Sequence, residues 1–109
     1  MNLSAWNMAY CIVMFDLPTT SRRAKRDYIE FRRFLLQDGF QMLQWSVYSR
    51  HCRSREDLET HMKRVRRKLP REGEVRMLHM TDAQFARMET FRKRARTEAD
   101  QPDGQLVFL

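Results

Sequence analysis

Asp16 is the residue of this chain best placed to do chemistry. It ends a continuous apolar run, Tyr-Cys-Ile-Val-Met-Phe at residues 10–15, and such a run reads as a buried strand. A carboxylate at the C-terminal end of a buried strand stands where side chains face an open crevice. Hard divalent cations take oxygen ligands of this kind, and in a two-fold dimer one Asp per subunit supplies two. The competing role is structural. An Asp ahead of Leu17-Pro18 orders a turn by accepting hydrogen bonds from nearby amides, and that is the commoner use of an Asp at such a place.

No complete catalytic set accompanies Asp16. His51, His61 and His79 stand apart from one another. His61 is expected on the solvent flank of a helix, next to core Met62, and His79 within a strand. Asp38 follows a helix and Asp82 opens one, so neither is a companion carboxylate for Asp16. There is no glycine-rich phosphate loop, no His-Cys metal spacing, and no Ser/His/Asp or Cys/His constellation. Cys11 lies in the apolar run and reads as a small buried hydrophobe. Two cysteines, Cys11 and Cys52, make neither a disulfide framework nor a zinc site, which suits a reducing, cytoplasmic setting.

The basic residues speak more strongly. The 109 residues hold 21 Lys+Arg against 14 Asp+Glu, a net charge of +7, and 17 of the 21 bases are Arg. Arginine grips phosphate through a planar fork of donors, so this balance suits a polyanion such as nucleic acid, and on composition alone it suits a merely soluble basic surface equally well. Arg22, Arg23, Lys25 and Arg26 crowd the first turns of a helix. Helix N-termini favour acids, so four bases there oppose the dipole, and a phosphate partner would resolve the conflict. Two further groups, Lys63 to Lys68 and Arg87 to Arg96, are equally well explained as solvated helix faces. No zinc finger or helix-turn-helix is present. Contact is therefore expected along the phosphate backbone, with little sequence preference and strong salt dependence.

The elements that must position these groups follow from periodicity and caps. Thr19, Thr20 and Ser21 are candidate N-caps for a helix carrying Ala24, Tyr28, Phe31 and Leu35, with Gly39 as its stop. Residues 40–49 are β-rich with bulk on both faces, which suits a sheet covered by helices on one side and a second subunit on the other. Residues 50–53 read as a polar connection. Ser54 with Asp57 opens a second helix bearing Leu58, Met62, Val65 and Leu69, closed by Pro70 and Gly73. Residues 74–80 form another strand candidate, and Thr81 with Gln84 caps a short third helix bearing Phe85, Met88 and Phe91. The apolar run Leu-Val-Phe-Leu at 106–109 suits an edge strand. The predicted fold is α+β, a ferredoxin-like βαββαβ sandwich with a short third helix and a C-terminal edge strand. Residues 1–9 form an extension, 10–91 the domain and 92–109 a tail. No apolar run reaches membrane-spanning length, and the first residues lack the pattern of a signal peptide.

Several segments together resemble one family. They are Phe-Asp-Leu-Pro-Thr at 15–19, Phe-Arg-Arg-Phe-Leu-Leu at 31–36, and Gly-Phe-Gln-Met-Leu-Gln-Trp-Ser-Val-Tyr-Ser-Arg at 39–50. Leu69-Pro70 through Gly73 and Thr-Asp-Ala-Gln-Phe at 81–85 complete the set. Over residues 10–91 the chain is similar to the CRISPR-associated Cas-two family, the small subunit of the spacer-acquisition complex. That resemblance implies a ferredoxin-like homodimer packed sheet to sheet, which bridges integrase dimers and binds a double-stranded DNA prespacer along its backbone. It also implies a prokaryotic protein and, as the alternative activity, a Mg²⁺-dependent endonuclease acting on RNA or DNA. The family's metal-binding Asp after the first strand matches Asp16, and its basic DNA contacts match Arg22 and Arg23 by position. Two-metal phosphodiester cleavage needs more carboxylates than one per subunit, so a non-catalytic adaptor is the favoured expectation.

Overall fold

The structure, a computed structural model, describes residues 9–93. Its elements are β1 (Ala9–Asp16), α1 (Arg22–Gln37), β2 (Gln41–Gln44), β3 (Val47–Cys52), α2 (Arg55–Arg67), β4 (Glu74–Thr81) and α3 (Asp82–Ala86). The four strands form one sheet in the order β2-β3-β1-β4, and every neighbouring pair is antiparallel. With a helix inside each of the β1–β2 and β3–β4 connections, this is the ferredoxin-like arrangement. Ala9, placed in the extension, opens β1, while residues 1–8, the distal part of the basic tail and the apolar run at 106–109 lie outside the described residues.

Local chemistry sets the helix limits. Ser21 is the N-cap of α1, its Oγ accepting from the Ala24 amide at 3.0 Å. The helix ends in a paired closure, Gly39 N–H donating to Leu36 O and Phe40 N–H to Leu35 O, with Gly39 at φ +90°. That geometry needs a left-handed residue and satisfies the last carbonyls. Ser54 Oγ caps α2 by accepting from the Asp57 amide, and Thr81 with Gln84 forms the reciprocal box of α3.

Both helices cover one face of the sheet. Cys11, Val13 and Phe15 alternate inward along β1 and pack with Phe31 and Leu35 of α1 and Leu58 and Val65 of α2. Burying side chains of the size of Phe31 or Leu35 stabilises the fold by about 2–3 kcal/mol each. Phe15 is the hub, its ring 5.3 Å from that of Phe31 and 5.7 Å from that of Tyr48.

Four local expectations are corrected. Residues 50–52 belong to β3, not to a polar connection, because they continue the ladder opposite Ala9, Tyr10 and Cys11. Trp45 is not a strand residue but stands 77 % exposed on the β2–β3 turn, where a register shift between Met42 and Gln44 breaks the alternation. Leu69 lies past the end of α2 and is exposed. The inward face of α2 keeps Leu58, Met62 and Val65 and gains the buried His61, the i, i+3, i+4, i+7 spacing of a helical face. Met88 and Phe91 fall beyond α3 and are exposed.

Candidate functional site

Alternation along β1 sends Tyr10, Ile12, Met14 and Asp16 to the face away from the helices. The register sets Val47, Ser49 and His51 of β3 on one side of them, and Arg76, Leu78 and Met80 of β4 on the other. This open face carries an apolar centre. At the Ala9 end it is closed by α3, whose Phe85 stacks on Tyr10 at 3.7 Å and whose Asp82 lies 3.1 Å from His51 Nε2. His51 is thus a partnered residue rather than an isolated one.

Asp16 stands at the opposite end, exposed. The ladder pairs it with Glu74, and both line a shallow cleft of about 210 Å³ with Trp45, Ser46 and Arg76. Glu74 accepts from Arg76 Nη2 at 3.1 Å, while Asp16 has no ion-pair partner among the described residues. The turn below is held by a close approach. A Cβ on Gly73 would lie 2.8 Å from Asp16 O and 2.7 Å from Leu17 Cδ2, and Gly73 sits at φ +97°. Only glycine lets the strand β4 start so near the Asp16 backbone.

A divalent cation does not fit one subunit. Two carboxylates meet here, one already engaged by Arg76. Among the described residues no group of three His, Cys, Asp or Glu side chains could hold a metal. A second Asp16 brought by symmetry would be required.

Arg22, Arg23, Lys25 and Arg26 project from the start of α1, all exposed. No acid occupies the first turn of α1, and none of the four makes an ion pair among the described residues. α2 is the contrast. Glu56 and Asp57 fill its first turn and Arg64, Arg66 and Arg67 its last, the order the dipole prefers. The bases of α2 therefore have a structural explanation that those of α1 lack.

His61 is not on the solvent flank. It is 4 % exposed, its Nδ1 lies 2.6 Å from Asp38 Oδ2, and its Nε2 lies 3.2 Å from Asp57 Oδ1. Arg64 Nη1 donates to the other Asp38 oxygen at 2.9 Å. The cluster ties the end of α1 to α2 and takes Asp38 out of any role beside Asp16. Burial pushes the Cys11 thiol up to about 12 and the Cys52 thiol up to about 11, so neither supplies a thiolate nucleophile near neutrality.

The sequence missed Glu74 and Arg76 as neighbours of Asp16. The signal was there in part, since a strand starting at Glu74 next to a strand ending at Asp16 aligns the two ends if the pair is antiparallel.

Residues 8–88 match the family described as CRISPR associated protein Cas2. A "CRISPR-associated endoribonuclease Cas2" of Flavobacterium psychrophilum is 43 % identical over 107 residues, covering 98 % of this chain and 93 % of that protein. One of the same name from Parvibaculum lavamentivorans is 47 % identical over 100 residues, covering 92 % of this chain and 99 % of that protein. A solved structure titled "Crystal structure of cas2" aligns with a TM-score of 0.48 at 19 % identity, covering 84 % of this chain and 95 % of the other. With the family match spanning nearly all the described residues and relatives this similar over most of their length, the chain belongs to the CRISPR-associated Cas2 family.

Proposed function

We propose that this chain is the DNA-holding adaptor of CRISPR spacer acquisition. Two copies pack through their open sheet faces, a duplex lies along the paired N-termini of α1, and an integrase partner performs phosphoryl transfer. The observation that carries this role is the start of α1: four exposed bases, no first-turn acid and no ion-pair partner among the described residues. Guanidinium forks and the first amides of a helix both suit phosphate oxygens. Two-fold symmetry doubles the set along one duplex. The apolar centre of the open face, with Leu78 40 % exposed, gives the dimer its contact. A cytoplasmic location agrees with two free, buried thiols, and no helix among the described residues is long and apolar enough to cross a membrane.

A second role, a Mg²⁺-dependent endonuclease, is favoured by the cleft where Asp16 meets Glu74 and Arg76 and by the endoribonuclease names of the relatives. There, paired Asp16 residues would hold the ion, which would polarise the phosphodiester and its attacking water. Reconstitution with the integrase of the same system separates the two. Asp16→Ala is expected to leave spacer acquisition intact while abolishing any metal-dependent cleavage by the isolated protein. Loss of acquisition with dimer and integrase binding preserved would overturn the adaptor role.

A further inference from the structure

Trp45 stands beside the later turns of α1, beyond the four bases that open that helix. The turn that bears it is fixed rather than loose: Ser46 adopts φ +61° and its carbonyl accepts from the Phe15 amide at 3.0 Å. The backbone of the turn is therefore tied to the central strand, and Trp45 beside Ser46 stands 77 % exposed. Beside it runs one stripe of α1, Ile29, Arg32, Arg33 and Leu36, and together they line a groove of about 410 Å³. Ile29 is 52 % and Leu36 42 % exposed, although both sit on a helix with a well-filled inner face. Arg32 and Arg33 have no ion-pair partner among the described residues.

We propose that the groove between Trp45 and the Ile29–Leu36 stripe of α1 docks an amphipathic, acid-flanked segment of a protein partner. The apolar floor takes aliphatic or aromatic side chains spaced one helical turn apart. Arg32 and Arg33 pair with carboxylates at the rim, where charge complementarity sets orientation. Trp and Arg are the residues that dominate protein interfaces. A nucleic-acid backbone is the poorer occupant. Phosphate would engage the two arginines, but Ile29 and Leu36 would gain nothing from it. This assignment rests on the adaptor role, because that role supplies the protein partner.

The test uses the full chain, the integrase subunit of the same system and a duplex oligonucleotide as probes. Leu36→Ser and Ile29→Ser alter exposed side chains without adding charge beside Lys25 and Arg26, and an unchanged thermal midpoint checks that each variant folds. Each is expected to weaken integrase binding tenfold or more, with duplex affinity and dimerisation unchanged. Equal integrase affinity in wild type and both variants overturns the docking surface alone. A fall in duplex affinity with integrase binding intact reassigns the groove to nucleic acid, and a shift to monomer reassigns it to a second copy of the chain; either overturns the proposal. Wild-type protein that does not bind the integrase at all removes the adaptor role and the proposal with it.

Discussion

His61 Nδ1 lies 2.6 Å from Asp38 Oδ2, and the two side chains are 5 % and 8 % exposed. One belongs to the middle of α2 and the other caps the C-terminus of α1, so this contact joins the two helices that cover the sheet. A buried carboxylate deprived of its partner costs far more than the pair contributes. His61→Leu is expected to destabilise the fold by about 1–3 kcal/mol, since Arg64 still donates to Asp38, and the double variant Asp38→Leu with His61→Leu by less than the sum of the single changes. Urea unfolding measures this, and an unmoved midpoint for His61→Leu would show that the contact holds nothing together.

The start of α1 predicts a salt-dependent phenotype. Each phosphate contact contributes about 0.9 to the slope of log K against log salt. Replacing Arg22 and Arg23 by Ala in both copies of a dimer is expected to weaken duplex binding on every sequence tried and to flatten that slope by about 3 to 4. The same pair of changes should raise stability slightly, because bases in a first turn oppose the helix dipole. Titrations at several salt concentrations that superimpose on wild type would remove the two residues from the interface.

Leu78 occupies the open face opposite Ile12 and is 40 % exposed. A charge there leaves the helix-side core untouched but cannot be buried between two sheets. Leu78→Glu is expected to give a folded monomer with near-wild-type circular dichroism and weakened duplex binding. Sedimentation showing an intact dimer would exclude the open face as the contact.

The two thiols predict an alkaline instability. Burial raises Cys11 from an ordinary value of 9.0 to about 12 and Cys52 from 9.0 to about 11. Above pH 9 the unfolded chain releases these protons while the folded chain keeps them. The stability they contribute is thus complete below pH 9 and declines as pH rises toward 11–12. Thermal midpoints of wild type should fall more steeply from pH 8.5 to 10.5 than those of a Cys11→Ala, Cys52→Ala variant. Parallel curves would mean that the thiols titrate alike in both states.

Local signals carried much of the architecture. Ser21, Gly39, Ser54 and the Thr81–Gln84 box lie within a turn of the groups they satisfy, so their roles were legible as sequence. So were the strand ending at Asp16 and the bases that open α1, since both depend on residues only a few positions apart. The chain order of helices and strands, read with the resemblance, gave the ferredoxin-like fold before any coordinate. Three features were decided only by tertiary structure. Glu74 reached Asp16 through an antiparallel register, His61 turned inward to meet Asp38 from another helix, and the turn bearing the exposed Trp45 was tied to β1 by the bond from Phe15 to Ser46. Each joins residues far apart along the chain, and periodicity states which face a residue prefers but not which distant group will be waiting there.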